Sequence, residues 1–323
     1  MRKSGNDPVR LGIIGTGRIA NRFMSEARCD SGVVATSVYH PHIGRAELFA
    51  DKHQLQYAAS SMEDLLANVD AVYIASPHAT HYAYIHHALI NGKHVLCEKP
   101  MVLEKKQAVE LYALANDKNC VLMEGIKTAY CPGFVQLLDI ARSGRIGAIR
   151  DVEASFTKLT DPALRELTDV ATGGSFLELA SYTLLAAVKL LGSDYQELRF
   201  DSFYADNGVD LYTKAYLKYQ DSWATSKTGL GVKSEGQLLI SGTQGYIRVD
   251  APWWKTQSFE VCYEDVTSNE QYRAEFTGDG LRYEIREFVS AIYDVGQIER
   301  HLSAEESIAL AGMMEMFLLE KLS

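Results

Sequence analysis

The turn Gly15-Thr16-Gly17-Arg18-Ile19-Ala20 constrains this chain more than any other feature, because of what flanks it. Before it runs the apolar segment Val9–Ile14, short enough for a buried parallel strand; after it, residues 19–27 take a helical period. A glycine at 15 permits the tight turn, one at 17 lets backbone approach a pyrophosphate, and Ala20 lets helix pack close to strand. The helix N-terminus then offers N–H groups and partial positive charge to a phosphate. Thr16, Arg18 and Ile19 lie on the same turn and complete the expected cradle.

The alternation continues beyond the turn. Apolar strands are expected at 33–39, 70–75, 94–97 and 120–123, with helices at 44–53, 80–91 and 104–117. That order predicts a parallel sheet covered on both faces, with its ligand edge at the C-terminal ends of the strands. Near residue 126 the pattern turns to period-2 segments. Strands are expected from Arg150 onward and at 197–204, 211–219, 235–241, 246–250 and 259–264, with Gly242-Thr243-Gln244-Gly245 as a hairpin turn. Helices are expected at 175–191 and at 304–322, the second capped by Ser303. The predicted fold is therefore α/β plus α+β. A Rossmann dinucleotide-binding domain occupies 1–125. An open, mainly antiparallel sheet with helices on one face occupies 126–323, serves substrate binding and dimerisation, and leaves the last helix able to pack back on the first domain. A length of 323 residues suits two such domains.

Charge and cysteine usage exclude several classes. A net charge of −10 with no Lys/Arg run argues against a nucleic-acid partner. Five scattered cysteines without a C-x-x-C pair fit a reducing, cytoplasmic setting. Residues 1–12 carry Arg2, Lys3, Asp7 and Arg10, so no signal-peptide core is read there. No apolar run approaches the roughly 20 residues that cross a bilayer. His78, His81, His86 and His87 do not make a zinc site, since adjacent residues cannot put both rings on one face and no cysteine or carboxylate completes the set; no metal is expected.

A dinucleotide fold that prefers NAD places an acid about 20 residues beyond its glycines, on the adenosine ribose. Here the second strand ends Val38-Tyr39-His40-Pro41-His42, with no carboxylate. Tyr39, His40, Arg45 and Arg18 are the groups expected near that ribose, and either arginine can pair with a 2′-phosphate. NADP is the expected cofactor, with NAD possible. Further along, Ala75-Ser76-Pro77-His78-Ala79-Thr80-His81 and Cys97-Glu98-Lys99-Pro100 follow the third and fourth strands. Pro100 restricts the backbone of Lys99, which stands at the ligand edge and can exchange a proton with a substrate hydroxyl or carbonyl oxygen. Glu98 offers a carboxylate beside it.

These motifs, with Gly173-Gly174-Ser175-Phe176-Leu177-Glu178-Leu179-Ala180-Ser181-Tyr182, resemble the Gfo/Idh/MocA oxidoreductases over nearly the whole chain. The segments Gly242–Gly245, Ala251–Trp254 and Gly280–Phe288 are most similar to the dimeric dihydrodiol dehydrogenase branch. The resemblance implies that Lys99 is the catalytic lysine and that Tyr182 donates or accepts the reacting proton. It also implies that Glu178 stands where the family usually carries Asp, and that Ser76, Pro77, His81, Glu98 and Lys99 line the cofactor groove. Independently of it, the i, i+4 spacing puts Glu178 and Tyr182 on one helix face. Phe156 and Trp254 are candidate apolar walls of a substrate pocket. Ala129 stands where relatives often carry Arg. The activity implied is hydride transfer between a nicotinamide and a secondary alcohol or ketone of a sugar, polyol or cyclic diol, in a homodimer paired through the second sheet. The alternatives are a non-catalytic NAD(P)-binding regulatory protein of the same fold, or an oxidoreductase acting on an imine or a tetrapyrrole double bond.

Overall fold

Six short strands with almost no exposed residue build the first sheet of the computed structural model, which describes residues 7–293 and 300–321. They are β1 (Val9–Ile14), β2 (Val33–Tyr39), β3 (Tyr57–Ala58), β4 (Ala71–Ile74), β5 (His94–Glu98) and β6 (Leu122–Gly125), in the order β3-β2-β1-β4-β5-β6 and parallel throughout. Helices α1 (Arg18–Ala27), α2 (Ile43–His53), α3 (Met62–Ala67), α4 (His81–Ile90) and α5 (Lys105–Asp117) make the crossovers. The order reverses between β1 and β4, so the loops after these two strands leave the sheet in opposite directions and open a crevice between them. Ile14 and Ile74 are in register, which places the glycine turn beside the loop that begins at Ala75.

The second sheet has eight strands in the order β14-β13-β12-β11-β7-β10-β9-β8. Its elements are α6 (Pro132–Arg142), β7 (Ile149–Thr157), α7 (Arg165–Thr168), α8 (Ser175–Leu191), β8 (Glu197–Tyr204), β9 (Asp210–Lys218), β10 (Trp223–Gly229), β11 (Leu238–Gly242), β12 (Tyr246–Val249), β13 (Ser258–Cys262) and β14 (Glu270–Arg273). All pairings are antiparallel except β10 with β7. Val152 and Ala154 of β7, Ala215 and Leu217 of β9, and Ala224 of β10 are buried on the face that α8 covers with Leu184, Leu185 and Val188. The hairpin at Gly242–Gly245 forms as the sequence predicts, with Gly242 N–H bonded to Gly245 O at 2.8 Å.

Two helices close the chain, α9 (Leu281–Tyr293) and α10 (Ala304–Lys321); residue 322, within the expected last helix, lies outside the described residues. The chain divides into two compact units that do not follow a single cut near residue 126. One runs to Lys127 and takes back Thr277–Ser307; the other holds Thr128–Phe276 and the chain from Ile308 onward. The return of α9 has a clear cause. Leu281, Ile285 and Phe288 form a buried stripe, and Arg282 reaches the Glu26 carboxylate of α1 through Nε at 3.0 Å and Nη2 at 2.9 Å. The sequence reading lacks β3, α3, α6, α7, α9, β10 and β14. Strand β10 escaped it because its inward residues are Ala224, Ser226 and Thr228, kept small where α8 lies close, so no apolar alternation shows.

Candidate functional site

In the first unit the glycine turn has no spare volume at one position and open space at the next. Gly15 has a φ of 104°, and a Cβ there would lie 2.5 Å from the carbonyl oxygen of Ala75. A Cβ on Gly17 would meet nothing within 4 Å. Gly17 begins α1 with no side-chain cap and no acid in the first turn, which leaves the helix end suited to an anion. Asn21, which the sequence reading passed over, donates to the carbonyls of Gly17 at 2.9 Å and Thr16 at 3.3 Å, steadying the turn from one helical turn below. Beyond β2, Tyr39, His40, His42 and Arg45 gather. His42 N–H donates to His40 Nδ1 at 3.0 Å, and burial, with Arg45 and His42, lowers the His40 pKa. Helix α2 likewise starts without a side-chain cap or an acid. This cluster suits a second phosphate and offers no carboxylate to a ribose.

Lys99 follows β5, half-buried, at a cis peptide with Pro100, and the chain on either side of it is pinned. Glu98 turns inward and accepts the Tyr73 hydroxyl at 2.6 Å, while Tyr73 stacks on Phe23 of α1 with ring centres 3.6 Å apart. The imidazole of His81, wholly buried, lies between two carbonyls, with Nδ1 3.0 Å from Pro100 O and Nε2 2.9 Å from Ser76 O. Met101 N–H donates to Glu124 at 2.9 Å. Ser76 accepts the Thr80 hydroxyl at 2.7 Å, and Pro77 is exposed at the same edge. Glu98 and His81, expected at the cofactor groove, each turn their side chains into the unit, where buried polar atoms, Tyr73 Oη and two backbone carbonyls, require partners.

Beneath this turn lies a group that no local pattern foretells. Glu284 of α9 is fully buried, and neither of its carboxylate oxygens has a hydrogen-bond partner. Burial, then the charge of Glu98, raises its pKa well above the ordinary carboxylate range, against the pull of Lys127. Burial also raises Glu98, and pushes Glu124 up to about 7. These acids hold protons in the folded chain that the unfolded chain releases above about pH 4.3. Stability therefore falls as pH rises from there toward the folded values, by about 1.4 kcal/mol per pH unit for each acid still protonated. Glu284→Gln, which keeps a neutral side chain of the same shape, is expected to flatten that slope. Melting temperatures of the two proteins from pH 4 to 9 should diverge on the alkaline side, and parallel curves would show that Glu284 is ionised.

In the second unit, α8 presents Glu178 and Tyr182 one turn apart, both half-buried. Tyr182 lies 5.3 Å, ring to ring, from Phe156, and Phe156 stacks on Trp254 at 3.6 Å with planes 9° apart. Trp254 is held in turn by its carbonyl, which accepts Thr128 Oγ1 at 2.8 Å. Glu178 accepts Arg165 Nη2 at 2.6 Å, and the same guanidinium donates to Asp169 at 3.3 Å. One arginine is thus shared between two carboxylates. Ala129 is buried in the same unit, consistent with packing.

Known proteins match both halves of this architecture. The family model described as the oxidoreductase family with an NAD-binding Rossmann fold matches residues 9–126, and the model of the GFO/IDH/MocA C-terminal domain matches 134–248. Trans-1,2-dihydrobenzene-1,2-diol dehydrogenase of Sus scrofa is 30% identical over 257 residues, covering 76% of this chain and 75% of that protein. The chain belongs to the Gfo/Idh/MocA family of oxidoreductases. Another member, the NADP(+)-dependent scyllo-inositol 2-dehydrogenase of Bacillus subtilis, is 29% identical over 317 residues, 95% of either chain. Among solved structures, a 3-ketoreductase from Actinomadura kijaniata in complex with NADP and TDP-benzene superposes with a TM-score of 0.81 at 26% identity, covering 95% of this chain and 96% of that one. This oxidoreductase has a parallel six-stranded sheet in its Rossmann domain and a larger mixed one of eight strands. Among the described residues, no helix is long and apolar enough to cross a membrane.

Proposed function

We propose that this oxidoreductase interconverts a secondary alcohol and a ketone on an uncharged cyclic polyol or diol, using NADP(H). The observation that carries the reading is the pinned Lys99 turn at the ligand edge of the first sheet; within the second unit, Glu178 and Tyr182 share one face of α8. The nicotinamide, when bound, supplies or accepts the hydride. Gly15, Thr16, Gly17, Arg18 and Ile19 hold the pyrophosphate through backbone N–H groups, with Ser76 and Pro77 at the facing loop. Tyr39, His40 and Arg45 surround the adenosine ribose, and the absence of an acid there favours the 2′-phosphate. Lys99 exchanges the proton of the reacting oxygen, Tyr182 bonds that oxygen, and Glu178 orients a neighbouring hydroxyl. Phe156 and Trp254 pack against the apolar face of the ring.

Two observations support these assignments. Solved variants of the Actinomadura kijaniata reductase change one lysine and one tyrosine, and their separation along that chain differs by one residue from that of Lys99 and Tyr182 here. The Arg165 guanidinium, shared between Glu178 and Asp169, favours an uncharged ring over a nucleotide sugar. We extend the proposal to a homodimer in a reducing, cytoplasmic setting with no nucleic-acid partner. Trp223 and Tyr246, 55% and 39% exposed, stand on the sheet face opposite α8, and all five cysteines are free. Sedimentation analysis checks the dimer.

The test is a nicotinamide absorbance assay over inositols, trans-dihydrodiols and dTDP-sugars with either coenzyme. Turnover of a cyclic polyol or diol, with kcat/KM at least about tenfold higher for NADP+, is expected; silence across the panel overturns the reading. Tyr182→Phe is expected to lower kcat by about 10² while leaving NADP+ affinity unchanged by calorimetry.

A further inference from the structure

We propose that His81 is a positioning residue for Lys99, acting by a hydrogen bond from its Nδ1–H to the carbonyl of Pro100. This inference rests on the proton-transfer role proposed above for Lys99. The two motifs at the ligand edge, residues 75–81 and 97–100, are 16 or more residues apart in sequence, and the His81 ring is what joins them: Nδ1 is 3.0 Å from Pro100 O and Nε2 is 2.9 Å from Ser76 O. No part of the side chain is exposed to solvent.

The chain around Lys99 is held at three points. Glu98 is tied through its side chain to Tyr73, Pro100 through its carbonyl to His81, and Met101 through its N–H to Glu124. Glu98 and Met101 lie on either side of the two-residue segment that contains Lys99, and the His81 contact grips that segment itself. A lysine has four rotatable bonds, so the place its ammonium reaches depends on how firmly its backbone is set. A displacement of about 1 Å at a reacting group costs about 10² in rate.

The ring faces the carbonyls of Ser76 and Pro100 and the backbone of Met101 with, when neutral, one N–H. Burial lowers the pKa of His81, and the charge of Lys99 acts in the same direction, both favouring the neutral form. The groups facing the ring include the carbonyls of Ser76 and Pro100, the Met101 backbone, Lys99, and His78 with ring centres 5.7 Å away. Placing the single proton on Nδ1 secures the carbonyl next to Lys99.

Two conservative variants separate the bonds. Asn carries an amide nitrogen at about the depth of Nδ1, and Gln carries one at about the depth of Nε2. His81→Asn is expected to keep kcat within about tenfold of wild type, whereas His81→Gln and His81→Leu lower it about 10². NADP+ dissociation constants and melting temperatures for Asn and Gln should match each other, which a merely structural role would not produce. Equal kcat for the Asn and Gln variants overturns the inference. A measurement on the unaltered protein guards against misfolding of the variants: ¹⁵N spectra of the histidine rings should show a protonated Nδ1 at His81, and a bare Nδ1 overturns it. Lys99→Met separates the two layers. Wild-type kcat in that variant removes the role of Lys99 itself, whereas an inactive Lys99→Met enzyme with no Asn–Gln difference removes only the role of His81.

Discussion

Lys99→Met is expected to lower kcat/KM by about three orders of magnitude while changing NADP+ affinity no more than a few-fold. Methionine preserves the unbranched apolar stem and removes the ammonium, so packing beside Pro100 is kept and the proposed proton-transfer group is lost. General acid–base catalysis contributes about 10² to 10⁴ in rate. The upper part of that range is expected here because the backbone on both sides of the lysine is immobilised by buried polar bonds to Tyr73, His81 and Glu124. A group so placed needs little reorganisation to reach its proton partner. Steady-state rates, with calorimetric titration of NADP+, check both halves of the expectation. A loss confined to KM would instead assign Lys99 to binding, and retention of the wild-type rate would remove it from the mechanism.

Much of this site is legible in the sequence wherever function and local structure use the same residues. The turn at Gly15–Ala20 is one such place, because a tight turn, a phosphate approach and close helix packing each demand a small residue at a fixed offset. Glu178 and Tyr182 are another, since spacing alone places them on one helix face. The direction of a side chain at the edge of the sheet is not legible in this way. Glu98 and His81 stand in ligand-edge motifs, yet both turn inward, because Tyr73 Oη and the carbonyls of Ser76 and Pro100 are buried and need partners. Their positions belong to the local pattern, their orientation to tertiary packing.

The same distinction explains the residues that sequence reading misses altogether. Glu284 reaches the neighbourhood of Glu98 only because α9 returns to the first unit, and an acid inside an amphipathic stretch looks like one more solvated charge. Arg165 meets Glu178 because a chain of loop bonds brings it there: Asp169 accepts the N–H groups of Ala171 and Thr172, and Gly173 and Gly174 donate to the carbonyls of Asp169 and Glu166. None of these contacts has a period. Phe156 and Trp254 fall between the two cases. Each is readable as an aromatic on or near a strand, but the 3.6 Å stack that makes them one platform arises from the fold of the second sheet.

Asp210→Ala and Gly174→Ala are each expected to destabilise the second unit by about 3–5 kcal/mol, and together by clearly less than the sum. Both act at the start of α8. Gly174 begins that helix with no side-chain cap, and the task passes to Asp210 of β9, which is fully buried. Its Oδ2 accepts Ser175 Oγ at 2.7 Å, Phe176 N–H at 2.8 Å and Thr213 Oγ1 at 3.0 Å. Removing the carboxylate leaves those buried donors without their shared acceptor and leaves the positive end of a 17-residue helix uncompensated. Adding a methyl at Gly174 meets two obstacles: its φ of 105°, which L-residues rarely adopt, and Asp210 Oδ1, which would lie 1.9 Å from the new Cβ. In the double variant the carboxylate is gone, so the steric part of the glycine substitution disappears while the backbone strain stays. Guanidinium midpoints for the two single variants and the double variant measure the coupling; additivity within about 0.5 kcal/mol would show that the two residues do not share this contact. Because α8 also carries Glu178 and Tyr182, variants that still fold at assay temperature should lose kcat on the proposed substrate before they lose affinity for NADP+.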